Sequence, residues 1–140
     1  MREVLFRGKR TDNGEWVYGY YTKARYFLNK KEMHIIFEPD VEAFPHCEFT
    51  GYEEVLPETV GQYTGLTDKN GVRIFEGDIV TGWFNHEKIV GYIFYGGNAQ
   101  FFIRRDGIYG IGLDNSDCWL EVIGNIHDNP EILKGGGDNG

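Results

Sequence analysis

The chain has 140 residues, 41% of them apolar and 16% aromatic, with 20 glycines, 4 prolines and a formal net charge of -8 at pH 7. This length suits one domain that buries a core without disulfides, and the apolar content excludes a disordered chain. The scarcity of proline and the lack of a G-X-Y period exclude collagen. No apolar run reaches the length of a signal peptide or a membrane span, so we expect a protein that stays inside the cell.

Short strands separated by turn residues dominate the sequence. An Asn-Gly turn at 13–14 predicts a hairpin between strands over 4–6 and 16–21. Residues 38–50 contain two prolines and are typical of an irregular connection. Strands this short and this closely spaced predict a small barrel or sandwich. The remaining predicted strands cover residues 33–37, 72–75, 79–80, 88–95, 100–104, 108–113 and 119–126.

Helix signals are few. Residues 21–31 suit either a helix of two or three turns or a strand. Asn129 and Pro130 are a typical start for a helix, but the glycines from Gly135 onward limit that helix to one turn. We expect the last six residues to be disordered, because they have nothing to bury.

The cysteines and histidines do not form a metal-binding pattern. Cys47 and Cys118 lie far apart without a CxxC partner, so they predict neither a disulfide framework nor a zinc ribbon. The four histidines lie on different segments, and the adjacent His46 and Cys47 would point to opposite faces of a strand. A Cys-His nucleophile pair would require the fold to bring a histidine close, and no local signature indicates one. We therefore predict no metal, no cofactor and no catalytic residue.

Two acidic segments that contain glycine predict turns. In the motif Glu76, Gly77, Asp78, the glycine can take a positive φ and the carboxylates can accept backbone N–H bonds at a corner between strands. A paired-carboxylate acid/base site, the functional alternative, would need a dry pocket. The segment 68–71, followed by Glu76, does not have the spacing of a calcium loop, which requires glycine at its sixth position and glutamate at its twelfth. Both segments are predicted to be structural.

The charge is divided unevenly along the chain. Residues 1–31 carry eight basic and three acidic side chains, residues 32–78 carry eleven acidic and two basic, and residues 79–140 carry eight acidic and four basic. The three segments therefore have net charges of +5, -9 and -4. The acidic total argues against broad DNA binding, because phosphate contacts supply most of that affinity. The basic first segment leaves a local nucleic-acid site open.

The aromatic side chains are more numerous than the inward face of one small barrel can bury. On one predicted strand, period two places Tyr92 and Phe94 on one face and Ile93 and Tyr95 on the other. Both faces are therefore apolar, which packing against an N-terminal lobe or another subunit would explain. Base stacking on aromatics beside the basic residues of segment 1–31 is the alternative.

Six segments carry a resemblance to a known family: 6–10, 14–19, 57–66, 68–71, 74–80 and 122–133. Together they resemble the YopX family of phage and prophage proteins, over residues 2 to about 133 and least between about 22 and 55. The resemblance implies a mainly β fold with little helix, an SH3-like barrel in the C-terminal half and an N-terminal β lobe. It also implies a phage-derived protein in the cytoplasm of a bacterial host, and it supplies no activity from which catalytic residues could be carried over.

The expected organisation is an N-terminal β lobe over 1–65, with an acidic, variable connection at about 32–58, then a barrel over 66–133 and a tail over 134–140. We expect these parts to unfold as one cooperative unit. The leading hypothesis is a non-enzymatic phage accessory protein that self-associates or docks a protein partner, without membrane contact. The candidate binding residues, for a protein interface or nucleic acid, are Arg7, Lys9, Arg10, Trp16, Tyr18 and Arg25.

The alternative hypothesis is a nucleic-acid binding module that uses the basic first segment and its neighbouring aromatics. It predicts salt-dependent oligonucleotide binding that weakens when basic side chains of this segment are neutralised. The two hypotheses differ in whether these side chains line an open groove or are paired with acids from residues 32–78. The basic residues of the alternative are Arg7, Lys9, Arg10, Lys23, Arg25, Lys30 and Lys31.

Overall fold

A computed structural model describes residues 5–25, 30–37, 52–84, 86–96, 101–105, 108–112 and 119–133. Several sequence-based expectations fall outside these residues. They concern His46 and Cys47, Cys118, the connection over 38–50 and the tail over 134–140.

The described chain is mainly β with little helix, which confirms the predicted fold class. A short 3-10 turn covers Pro57–Thr59, and residues 131–133 form a single helical turn at the end of the described chain. The strands are β1 (Phe6–Lys9), β2 (Trp16–Arg25), β3 (Glu32–Phe37), β4 (Tyr52–Glu54), β5 (Gly61–Thr67), β6 (Arg73–Phe75), β7 (Asp78–Phe84), β8 (Glu87–Tyr95), β9 (Phe101–Arg105), β10 (Ile108–Gly112) and β11 (Glu121–Asn125).

The chain divides into two compact units, Met1–Gln62 and Tyr63–Gly140. In the first unit, neighbouring strands follow the order β4-β3-β2-β1, and the first residues of β5 pair with β1. All these pairings are antiparallel. The predicted hairpin between β1 and β2 is present, and Gly14 in its turn has a φ of 73°. Of the segment 21–31, residues up to Arg25 continue β2 and pair with β3.

Four apolar side chains of the first unit are buried among its described residues: Leu5, Ile35, Ile36 and Val55. Ile35 and Ile36 are neighbours on β3 and therefore point to opposite faces of the sheet. Both faces of β3 are therefore covered at these two positions. Arg7 and Thr59 are buried with the apolar residues, so the first unit buries polar as well as apolar groups.

The second unit contains the β5–β6 hairpin and a five-stranded antiparallel sheet in the order β10-β9-β8-β7-β11. The last strand returns to lie beside β7. Among the described residues, no pairing joins β10 to β11, so the sheet is open at these two edges and no closed barrel forms. The SH3-like character of this half remains a prediction. The core of the unit is a contiguous cluster of Ile74, Val80, Ile89, Ile93, Phe101, Ile103 and Leu120.

The corner between β6 and β7 is made by a left-handed glycine and a buried carboxylate. Gly77 has a φ of 92°, a conformation that costs glycine less than any other residue. Its N–H donates to the carbonyl of Ile93 at 2.8 Å. Oδ2 of the buried Asp78 accepts a hydrogen bond from the Phe75 N–H at 2.8 Å. Backbone geometry and hydrogen bonding thus account for the glycine and the aspartate of this motif.

Asp68 is a second buried carboxylate with a structural role. Its Oδ1 accepts the N–H groups of Asn70 and Val72 at 2.8 and 2.9 Å, and its Oδ2 accepts the N–H of Val122 at 2.9 Å. Burial alone would raise the pKa of Asp68, but these three hydrogen bonds outweigh it and lower the pKa. The carboxylate therefore fastens the β5–β6 turn to the start of β11.

Candidate interaction surface

The register of β1 and β2 gathers basic and aromatic side chains on one face of the first unit. Arg7 lies opposite Tyr18, and Lys9 lies opposite Trp16. Residues directly opposite each other in an antiparallel pair share a face, and residues two apart on a strand do so as well. Four of the six predicted binding residues are thus on the same side of the sheet.

The same face extends across β3 and β4. Tyr20 lies opposite Phe37, which lies opposite Tyr52, and the ring centroids of Phe37 and Tyr52 are 6.3 Å apart. We call this surface the tyrosine face. Its members are Arg7, Lys9, Trp16, Tyr18, Tyr20, Phe37 and Tyr52.

Three tyrosines of the tyrosine face are exposed to solvent. The exposed fraction is 45% for Tyr18, 48% for Tyr20 and 36% for Tyr52. Their rings combine a large apolar surface with a hydroxyl group that can bond to water or to a partner. The sequence-based choice of binding residues omitted Tyr20, Phe37 and Tyr52. The alternation of tyrosines at 18 and 20 on one strand was the available signal for Tyr20.

The cations of this face lie against an indole ring. The Arg7 Cζ is 4.5 Å from the centroid of the Trp16 ring, and the Lys9 Nζ is 5.4 Å from it. Such cation-π contacts contribute about 0.5 to 2 kcal/mol, depending on desolvation. Arg7 is only 6% exposed, so its guanidinium group offers little surface to a phosphate.

Arg10 and Arg25 are the two predicted binding residues that lie on the opposite face. The Arg10 Nε and Nη2 donate to both carboxylate oxygens of Asp12, at 3.0 and 2.8 Å, and the Nη2 is 3.3 Å from the Glu53 Oε2. The hydrogen bond from Arg10 holds the pKa of Asp12 below its ordinary value. One basic residue of the first segment is thus paired with an acid from residues 32–78. Arg25 is exposed and lies across the strands from Glu32.

The opposite face also carries a tyrosine, a histidine and a glutamate side by side, which were not singled out from the sequence. The Tyr21 Oη and the His34 Nδ1 are 2.6 Å apart, and the His34 Nε2 is 3.5 Å from the Glu32 Oε1. Burial, followed by the charge of Glu32, raises the pKa of Tyr21. The phenol is therefore protonated near neutral pH and unsuited to act as a nucleophile. The arrangement ties β2 to β3.

The described residues contain no group of three or more His, Cys, Asp or Glu side chains placed to hold a metal ion. Of the histidines, His34 is engaged by Tyr21, and His86 lies in the turn between β7 and β8 with a φ of 67°. His127 follows β11, and its N–H donates to the Asn125 side chain at 3.0 Å. These three histidines lie on separate elements.

Across the described part of the chain, no helix has the length and apolar character needed to span a membrane.

Comparison with known proteins identifies relatives of the chain. The profile of a family described as "YopX protein" matches residues 5–134. The crystal structure of protein EF1440 from Enterococcus faecalis is similar, with a TM-score of 0.54 and 26% sequence identity. That similarity covers 95% of this chain and 99% of the other. No curated protein matches the sequence.

Proposed function

Because the chain belongs to the YopX protein family, we propose that it is a phage or prophage accessory protein without enzymatic activity that acts in the bacterial cytoplasm by self-association. The tyrosine face of one copy docks against a second copy of the chain. The observation that carries this proposal is the placement of three exposed tyrosines, Tyr18, Tyr20 and Tyr52, on a single face of the first unit.

Exposed tyrosines on one sheet face are suited to a protein interface. Tyrosine is enriched at such interfaces and among the residues that contribute most to binding. Its ring loses little conformational entropy when it becomes buried, because only two side-chain torsions are fixed. The two most exposed members, Tyr18 and Tyr20, are two residues apart on β2, so a partner can cover both at once.

Charge distribution supports a second copy as the partner. The first 31 residues have a net charge of +5, whereas residues 32–78 have a net charge of -9. Segments of opposite sign in one chain allow the basic segment of one copy to approach the acidic segment of another. Such complementarity raises association rates and selects orientation. A two-fold arrangement would use each contact twice.

The nucleic-acid alternative on the basic first segment has weaker support. It requires open cations, and two of its seven basic residues are not open, because Arg7 is buried against Trp16 and Arg10 is held by Asp12 and Glu53. Glu53 belongs to the same chain, so this pairing makes Arg10 less available to a phosphate but does not itself indicate a second copy. The exposed cations that lie away from the Trp16 ring include Lys23, Arg25 and Lys30.

Size-exclusion chromatography with light scattering tests self-association. At tens of micromolar protein, we expect the wild type to elute as a dimer or larger species, more so at low than at high salt. The double variant Tyr18→Ser, Tyr20→Ser should elute as a monomer. Tyr95→Ser is the matched control, because Tyr95 is also 48% exposed but belongs to the second unit, and it should retain the wild-type mass.

Two results would reject the proposal. One is a strictly monomeric wild type at both salt concentrations. The other is retention of the oligomer by the double tyrosine variant, with circular dichroism showing both proteins folded. Oligonucleotide binding at about 50 mM salt that disappears when Arg7, Lys9 and Arg10 are neutralised would favour the nucleic-acid alternative instead.

A further inference from the structure

The five-stranded sheet of the second unit has an aromatic face opposite its core. On β8, Ile89 and Ile93 are buried in the core cluster, so Tyr92 and Phe94, at alternate positions, point to the other side. The register with β9 places Phe102 opposite Phe94. These three rings are half-buried, so part of each remains accessible.

The rings form a continuous row with a cation above it. The centroids of Tyr92 and Phe94 are 6.4 Å apart, and those of Phe94 and Phe102 are 5.5 Å apart with nearly parallel planes, 28° between them. Arg104, which lies opposite Tyr92, places its Cζ 5.8 Å from the centroid of Phe94. An exposed guanidinium thus borders the row of rings.

A tryptophan and a lysine continue this surface along β8. Trp83 lies opposite Lys88, and the alternation from Tyr92 back to Lys88 puts both on the same face as the rings. Trp83 is 67% exposed, the highest value among the large apolar side chains of the described residues. We call the set Trp83, Lys88, Tyr92, Phe94, Phe102 and Arg104 the β8 face. Between Lys88 and Phe94 the strand spans about 20 Å, at roughly 3.4 Å per residue.

The described charges on this face favour an anionic ligand. Lys88 and Arg104 are both exposed. Glu121, which lies opposite Thr81 on the same face, has its Oε1 3.6 Å from the Lys69 Nζ. The local charge is therefore positive on a chain whose net charge is -8. A ligand that fits must carry flat rings to cover the aromatics and negative charges to meet the two cations.

We propose that the β8 face binds single-stranded nucleic acid. Unpaired bases stack on Trp83, Tyr92 and Phe94, and phosphates of the same strand approach Lys88 and Arg104. Base stacking on aromatic side chains combined with nearby cations is the general mode of such binding, and its site sizes begin at about four nucleotides. The face lies in the second unit and uses no basic residue of segment 1–31, so it is independent of the tyrosine face.

Fluorescence anisotropy of labelled oligothymidylate and oligouridylate of about 12 nucleotides tests the proposal on the full chain at about 50 mM salt. We expect both strands to bind, and a duplex of the same length to bind at least about tenfold more weakly, because base pairing hides the faces that stack. Trp83→Leu and Phe94→Leu preserve apolar volume but remove the flat ring. Each should raise the Kd about 5-fold to 100-fold.

Matched controls separate stacking from general effects. Tyr95→Leu changes an exposed ring next to Phe94 on the opposite side of β8, and it should leave the Kd unchanged. Arg104→Gln should raise the Kd and reduce its dependence on salt. The triple variant Arg7→Gln, Lys9→Gln, Arg10→Gln should bind like the wild type.

Four outcomes would overturn the proposal. These are the absence of binding to either strand, equal affinity for the duplex, equal loss in Tyr95→Leu and Phe94→Leu, and loss of binding in the triple variant of the first segment. If Trp83→Leu and Phe94→Leu leave oligonucleotide binding intact but abolish binding of a protein partner, the face is a protein interface and the proposal is wrong. None of these outcomes depends on whether the chain self-associates.

Discussion

The two units of the chain differ in what they bury and in how they expose aromatic rings. The second unit encloses one contiguous aliphatic and aromatic cluster. The buried residues described in the first unit are four apolar side chains together with Arg7 and Thr59. A contiguous apolar core contributes stability in proportion to the area removed from water, whereas a buried cation must be compensated by specific contacts. The second unit also buries the carboxylates of Asp68 and Asp78, so the described units differ in the charge that they bury, a cation in the first and carboxylates in the second. Each unit therefore depends on specific contacts as well as on apolar packing.

The variants with the largest expected effect test whether the two units unfold together or separately. Ile103→Ala in the second unit and Ile36→Ala in the first each remove a fully buried side chain, and each should cost about 2 to 5 kcal/mol. We predict one unfolding transition in urea, shifted by both variants. Coincident curves from far-UV circular dichroism and tryptophan fluorescence would establish it.

A biphasic urea curve in which each variant moves a separate phase would contradict this prediction. It would mean that the units unfold independently, and that the phase moved by Ile36→Ala reports the first unit alone. The exposed variant Thr22→Ala serves as the control, because surface substitutions usually stay within about 0.5 kcal/mol.

The next largest effect is expected at Asp68 in the second unit, and its size should depend on pH. Asp68→Asn replaces an acceptor of three backbone N–H groups with a side chain that can accept at one atom only, and should cost about 1 to 3 kcal/mol at neutral pH. Because folding lowers the pKa of Asp68, its contribution is fully present above the ordinary pKa of about 3.9 and is lost as pH falls through the folded value.

Urea midpoints measured from pH 7 down to pH 2 check this expectation. The gap between the wild type and Asp68→Asn should narrow on acidification, while Glu58→Gln, at an exposed position, should follow the wild type throughout. A gap that stays constant with pH would show that the carboxylate charge is not what matters at this turn.

The smallest effect is expected at Arg10. Its bonds to Asp12 and Glu53 lie at the surface, where ion pairs contribute little to stability because solvent screens them. Arg10→Gln should therefore shift the urea midpoint only slightly, and less in high salt. A shift as large as that of Ile36→Ala would mean that this pair, and not apolar packing, holds β4 in place.

The sequence predicted strand positions where residues typical of turns mark the ends of the strands. The Asn-Gly turn at 13–14 predicted the β1–β2 hairpin, alternating side chains predicted β8, and short apolar runs predicted β3 and β9. β5 was missed, because Gly61 and Gly65 interrupt a segment with few apolar residues. It is a strand because tertiary pairing with β1 and β6 outweighs its weak intrinsic preference.

The candidate surface was predictable only in part. The basic and aromatic residues around β1 and β2 were singled out from composition, but register decides which of them share a face. Arg7 is buried because the hairpin sets it beside Trp16. Arg10 meets Glu53, 43 positions later, because β4 returns to the same sheet. Such long-range pairings follow from topology, which local patterns do not contain.

The position of β11 beside β7 has a consequence for biosynthesis. Val122 donates to Asp68 across 54 positions in the chain, so the turn after β5 is fastened only when the last strand has left the ribosome. Contacts of such separation require closure of a long loop and slow the folding of β proteins. Until β11 has been synthesised, the edge of β7 that pairs with β11 has no partner strand. Premature termination before β11 would leave that edge open to pairing with other chains.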